Sequence, residues 1–251
     1  MKNLLISTTI LSALLLSGCA GFGESLYPSD ITVAELQKRK DNAADPENRF
    51  AKASSYIMRQ QISDNDWLSG GNTRIIEQMY KRPDKIKCTI SEKGEPVSGY
   101  IINGNSAWNI DYKSRKVVPI DPQNMVMIKK LTKLNTPATS YLDVFKNVEI
   151  FRCKNSDGEF YKLTCSNTKN NSFDIYIDAD TYLISRMVTT IKVNSRTIKT
   201  DSVMKRYTLY EGIRLPDESV STTGDEEQTQ KILYYKLDAA LDDSEFIPPV
   251  L

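Results

Sequence analysis

Hydrophobic and polar positions divide the chain into stretches of different period. An apolar run from Leu4 to Leu16, broken only by Ser7, Thr8, Thr9 and Ser12, follows the positive start Met1-Lys2-Asn3. That order is a secretory signal, and at about thirteen residues the run is too short for the roughly twenty-residue helix that crosses a bilayer. From Ala20 to about Asp30 the residues are Gly, Ser, Pro and polar, which reads as a flexible tether. Ile31, Ala34 and Leu36 then recur at helical spacing, predicting a helix over Ile31–Lys40 capped by Asp30 or Thr32. Phe50, Ala53, Ile57 and Gln61 predict a second helix over Pro46–Gln61.

Beyond Thr73 the period becomes two, in short runs rich in Ile, Val, Tyr, Phe and Thr between turn signals. Arg74–Tyr80, Lys85–Ser91 and Ser98–Ile102 read as strands, and Asn103-Gly104 as a hairpin turn into Ser106–Tyr112, where Trp108, Ile110 and Tyr112 share one face. Asn124–Leu134 and Ser140–Phe145 read as helices interrupting the β pattern. Strands resume at Val148–Lys154, Glu159–Ser166, Ser172–Asp178, Tyr182–Val193, Arg196–Tyr210, Glu218–Thr223 and Gln230–Leu237, with a Pro-rich tail after Leu241. The links are too short for parallel crossovers, so an antiparallel meander is expected. The fold class is α+β, mostly β.

Charge is nearly balanced, with 33 Lys and Arg against 32 Asp and Glu, so no basic field points to nucleic acid. Histidine is absent, which removes His-based acid/base catalysis, Ser-His-Asp triads and His metal ligands together. Only a Ser-Lys or carboxylate pair is left open for hydrolysis, and the chain is read as a non-enzyme. Asp178 and Asp180 lie in a turn signal, where their side chains are expected to bond local backbone. Asp242-Asp243, Asp225-Glu226-Glu227 and the Lys129, Lys130 and Lys133 set read as solvated faces, and Trp67-Leu68 as a staple of helix end to sheet or an exposed loop tip. After Cys19 the cysteines are Cys88, Cys153 and Cys165. A two-residue hairpin at Asp157-Gly158 would set Cys153 opposite Lys162 and Cys165 opposite Ile150, about 10 Å apart and beyond disulfide reach.

Leu16-Ser17-Gly18-Cys19 resembles the lipobox of bacterial lipoproteins. The resemblance implies a signal peptide over 1–18, cleavage before Cys19, and a covalent diacylglyceryl and N-acyl lipid on Cys19, with no other cofactor. One chain holds a protein only weakly, whereas two or three hold it stably. Ala20, in place of the Asp that resembles an inner-membrane retention signal, points to the periplasmic face of the outer membrane.

The element order resembles the LolA/LolB-like superfamily of periplasmic lipoprotein carriers. The resemblance is carried by Lys81-Arg82-Pro83-Asp84-Lys85-Ile86, the stretch from Asn103 to Asp111, the stretch from Tyr176 to Ile184, Tyr210-Glu211-Gly212-Ile213-Arg214-Leu215-Pro216, and the closing Leu237 to Pro249. It implies, over residues 31–251, a strongly curved antiparallel sheet, an unclosed barrel, capped by helices over an apolar cavity for acyl chains. Trp108, Ile110, Tyr176 and Leu183 are the expected cavity lining. The implied partners are membrane lipid, lipoprotein acyl chains during sorting to the outer membrane, or another envelope protein. The alternative on the same fold is a protein-interaction or sensing module.

Overall fold

A computed structural model describes residues 24–65, 72–134, 136–137, 139–168, 171–193 and 196–251. The expected signal peptide, Cys19 and the Trp67-Leu68 pair lie outside the described residues. In chain order the elements are β1 (Ser25–Pro28), α1 (Val33–Ala44), α2 (Arg49–Lys52), β2 (Ser55–Asp64), β3 (Thr73–Lys81), β4 (Lys85–Glu92), β5 (Glu95–Asn103), β6 (Ser106–Asp111) and β7 (Lys116–Pro119). Then come α3 (Pro122–Leu134), α4 (Tyr141–Val144), β8 (Asn147–Asn155), β9 (Gly158–Thr168), β10 (Asn171–Asp178), β11 (Ile184–Val193), β12 (Arg196–Tyr210), β13 (Ile213–Thr223) and β14 (Glu226–Leu237). Among the described residues the fourteen strands join one sheet in the order β1-β8-β9-β10-β11-β12-β13-β14-β2-β3-β4-β5-β6-β7, every pairing antiparallel.

The sheet curls without closing. Register shifts at Met204/Arg206 in β12, Ile232/Tyr234 in β14 and Ile184/Arg186 in β11 insert extra residues that strengthen local twist. Its edges, β1 and β7, are four residues each and both end in proline, which blunts them against further pairing. The α3–α4 segment links one edge to the strand beside the other.

Three sequence expectations change. The predicted second helix is only the one turn of α2; Ser55–Asp64 is a strand flanked by β14 and β3. Backbone bonds to two neighbours outweigh a loose helical spacing, and Tyr56, Met58 and Gln60 alternate to one face. Ser25–Pro28, inside the expected tether, is a strand paired with β8 from Ser25↔Lys154 to Pro28↔Phe151. The β5–β6 turn is Gly104-Asn105, closed by Asn103↔Ser106, one residue later than expected; Gly104 alone takes positive φ, 62°. α1 behaves as expected: Thr32 Oγ1 caps it by accepting from the Glu35 N–H at 3.2 Å.

The inner face carries the helices. Leu36 of α1 and Tyr141 and Val144 of α4 pack on Leu163, Phe173, Ile175 and Ile177 of β9 and β10, while Met125 of α3 packs on Ile86, Ile102 and Ala107. The C-terminal tail crosses the outer face. There Phe246, fully buried in a 3-10 turn over Asp243–Phe246, sits on Ile101 and Ile110 beside Trp108.

Gly99 shows how tightly β4 and β5 meet. A Cβ at this position would collide with the Cys88 carbonyl oxygen. Gly99→Ala is therefore expected to destabilise by about 1–3 kcal/mol through overpacking, read by chemical denaturation; an unchanged midpoint would contradict that packing.

Tail docking is also electrostatic. Asp243 reaches Lys81 at 2.7 Å and Lys85 at 2.9 Å, and Glu245 reaches Lys87 at 2.6 Å. Hydrogen bonds from Lys81 and Lys85 hold the Asp243 carboxyl down at about 2, against an ordinary 3.8. Its contribution is therefore complete above pH 3.8 and is lost as pH falls through about 2. In a Trp67→Phe background, Trp108 emission is expected to shift red over that acid interval, and less so in Asp243→Asn, which has already lost the pairs.

Candidate binding cavity

Between the helices and the inner face of β11–β14 and β2 lies a cavity of ≈ 190 Å³. One water needs roughly 10–15 Å³, so this space holds far more than an ordered water. Leu134 closes it from the helix side, with Leu183, Met187, Met204, Met58 and Ile232 from the sheet. The three methionines come from three different strands, and their unbranched thioether side chains adapt to ligands of irregular shape.

Polarity is graded along the strands. Near the β12–β13 and β14–β2 ends that carry Tyr210 and Tyr56, the inner face is sealed by Phe50, Tyr56, Tyr80 and Tyr235, with Tyr56 at 5.7 Å from the Phe50 ring, 5.4 Å from Tyr80 and 5.9 Å from Tyr235. Toward the opposite end the cavity wall becomes Ser202, Ser219, Ser221 and Gln230, all half-buried. The Ser202 and Ser221 hydroxyls are 2.8 Å apart, as are those of Thr200 and Thr223 one step further out. The serine and threonine end is therefore the hydroxyl-lined end of the cavity.

Two charged side chains line this cavity, exposed Arg214 and buried Lys40. Lys40 is 5% exposed, lies over the Tyr141 ring at 5.0 Å, and donates to the Pro137 carbonyl at 3.0 Å, with Asp41 at 3.1 Å. Burial pulls its amine below the ordinary lysine range, and Asp41 offsets only part of that. Lys40 thus joins α1 to the α3–α4 connection, and Gln37 helps by accepting from the Tyr141 N–H at 3.4 Å.

Of the residues expected to line a cavity, Leu183 does so. Trp108 and Ile110 lie on the outer face under the C-terminal tail. Tyr176 lies on the outer face with Cys153, Phe160 and Val188. Met58, Met187, Met204, Ser219 and Lys40 were not anticipated; their alternation is visible, but only the placement of the helices shows which face they share. Asp178 caps its turn as expected, accepting from the Thr181 N–H at 2.8 Å and its hydroxyl at 2.7 Å. Lys129 and Lys130, read as solvated, instead donate to Gly104 O at 2.7 Å and Val144 O at 3.2 Å.

The three described cysteines are free and buried. Cys153 pairs with Phe160 and Cys165 with Val148, because the hairpin turns at Ser156-Asp157, two residues away in register from the expected pairing. The two sulfurs fall on opposite faces, in separate clusters. Burial pushes the thiols up, Cys88 to about 11 and Cys153 and Cys165 to about 12, so all three are protonated at neutral pH. Among the described residues no group of three or more Cys, Asp or Glu is arranged to hold a metal, and no helix is long and apolar enough to cross a membrane.

No family model matches the sequence, and no curated protein does. Solved structures do match. A LolA superfamily protein from Nitrosomonas europaea superposes with a TM-score of 0.61 at 11% identity, over 87% of this chain and 98% of that one. The chain has a LolA-like fold. A domain assigned to outer membrane lipoprotein-sorting proteins, from Vibrio parahaemolyticus, gives 0.52 at 11% identity, over 84% and 97%. A DUF1329 family protein from Desulfovibrio piger gives 0.55 at 13%, over 86% and 95%. At such identities the LolA-like architecture is shared while side chains are not, so the roles assigned to Lys40, the methionines and the serine wall rest on this chain's own geometry.

Proposed function

We propose that this chain is a lipid-anchored envelope protein that binds acyl chains, of a lipid or of lipoproteins, in the cavity under α1 and α3. The observation that carries the reading is a methionine- and leucine-lined space inside a LolA-like sheet, sealed by aromatics at one end and graded to hydroxyls at the other. The relative from Vibrio parahaemolyticus, assigned to outer membrane lipoprotein sorting, supports the sorting role. About ten buried methylenes at ~0.8 kcal/mol each contribute about 8 kcal/mol, the scale of a micromolar Kd before ordering costs.

The role is binding without catalysis, consistent with the absence of histidine and with thiols kept protonated. The lipobox through Cys19 supplies the anchor, and Ala20 favours the periplasmic face of the outer membrane. The test is displacement of a bound anilinonaphthalene sulfonate probe from the domain by a diacylglyceryl-cysteine peptide. Saturable displacement is expected; a protein that takes up neither probe nor peptide would contradict the reading.

A further inference from the structure

The first described residue is fastened to the outer face of the sheet. Glu24 accepts from the Cys153 thiol at 3.1 Å, pairs with the Lys162 amine at 3.1 Å and accepts from the Tyr176 hydroxyl at 3.4 Å. Lys162, mostly buried, also reaches Asp174 at 3.3 Å, and the Tyr176 ring centre is 5.2 Å from the Lys162 amine and 5.4 Å from the Arg186 guanidinium. Burial works against ionising Glu24, yet the hydrogen bonds from Cys153 and Lys162 more than offset it and hold the carboxyl below its ordinary range. The next residues are held by β8, beginning with Ser25↔Lys154. The chain therefore joins the fold at the sheet end marked by the β8–β9 turn at Ser156-Asp157 and the β10–β11 turn after Asp178.

The cavity faces the other way. It is on the inner face, which at this same end of β12–β14 and β2 carries buried Tyr56, Ile213, Leu215 and Tyr235 with exposed Arg214 on the cavity lining. It passes to half-buried Ser221, Thr223, Gln228 and Asp64 at the far end. The hydroxyl-lined end of the cavity and the attachment thus differ in both face and end.

The tether is short. Cys19 precedes Glu24 by five residue steps, which reach at most about 18 Å in any conformation. The fifteen residues of β12 span about 45–50 Å. Such a tether covers less than half the sheet, so it cannot place the bilayer freely around the molecule.

We propose that the protein docks against the bilayer that holds its own anchor, using the β8–β11 turn end and the exposed Leu26 and Tyr27 of β1, and that the hydroxyl-lined end of the cavity is thereby directed away from that bilayer, toward the aqueous space. Leu26 and Tyr27 are 47% and 52% exposed and supply the apolar contact. Cargo that enters at the hydroxyl-lined end then arrives from the aqueous side and not by lateral diffusion from the anchoring leaflet. This inference rests on the lipid anchoring proposed above and is independent of what the cavity holds.

The test uses the full-length lipidated protein, reconstituted in phosphatidylethanolamine and phosphatidylglycerol vesicles with a lipid-borne quencher. A fluorophore is placed at Asp157→Cys, in the turn beside the attachment, or at Asp225→Cys, in the far β13–β14 turn; both sites are exposed, and Cys88, Cys153 and Cys165 are buried from the label. Quenching severalfold stronger at position 157 is expected, and a long Gly-Ser insertion between Cys19 and Glu24 is expected to abolish the contrast. Equal quenching, or stronger quenching at 225, would overturn the orientation. A contrast that survives the insertion would overturn the short tether as its cause. Mass spectrometry of the N-terminal peptide keeps the two readings apart: an unmodified Cys19 sinks the anchoring and the orientation together, whereas an acylated Cys19 with equal quenching sinks the orientation alone.

Discussion

Phe246→Ala is expected to lower the unfolding free energy by about 3–5 kcal/mol, well above the ~1 kcal/mol of an ordinary substitution. Phe246 is fully buried, yet it belongs to a tail that crosses the outer face and not to the sheet. Its ring covers Ile101 and Ile110, which are 1% and 3% exposed only because the tail is there, and Leu241, Leu251 and Tyr112 close the margin of the same cluster. Removing the ring leaves a cavity and frees the tail, so the loss combines burial of the ring with wetting of two isoleucines. Chemical denaturation reads the first effect and limited proteolysis after Leu237 the second. A loss below about 1 kcal/mol would mean that the tail only rests on the sheet and contributes no core.

Ser219→Trp is expected to abolish acyl-chain binding while leaving the fold intact. Ser219 is a half-buried, small side chain on β13 that lines the cavity between the methionine wall and the solvent end. An indole projecting there occupies the path that an acyl chain would take. Each methylene denied burial costs ~0.8 kcal/mol, so four of them cost about 3 kcal/mol, more than a hundredfold in Kd. Ser219→Ala, which leaves the space open, is expected to bind as the unmodified protein does. Undiminished binding by the Trp variant, with an unchanged unfolding midpoint, would place the acyl site elsewhere.

Most of the sheet is legible in the alternation of the sequence. Runs such as Lys85–Ser91 and Ser172–Asp178 fall within strands of the structure because an alternating apolar face has few other uses. Ser55–Asp64 is the instructive exception: it is a central strand, and its partners β14 and β3 are distant or later in sequence, so local spacing alone favoured a helix. β1 and β7 escaped notice because four-residue edge strands ending in proline carry almost no periodic signal.

Site residues were less legible for a different reason. Alternation separates the two faces of a strand but does not say which face meets helices and which meets a tail. Trp108 and Ile110 do share a face, and it is the outer one, because the 3-10 turn at Asp243–Phe246 returns to cover it. Tyr176 is drawn outward as the partner of Lys162 and Arg186. Lys40 looked like the end of an amphipathic helix; its burial depends on the Pro137 carbonyl, nearly a hundred residues away in sequence.

The central claim is that the space under α1 and α3 is an acyl-chain site. Native mass spectrometry with lipid extraction, on the protein expressed in a bacterium from residue 20 onward so that no covalent lipid is present, tests it most directly. Bound phospholipid or acylated peptide, lost in Ser219→Trp and retained in Ser219→Ala, is the predicted result. A clean unliganded mass that stays unchanged when lipid is added would contradict the claim and move the function to protein interaction on the same fold.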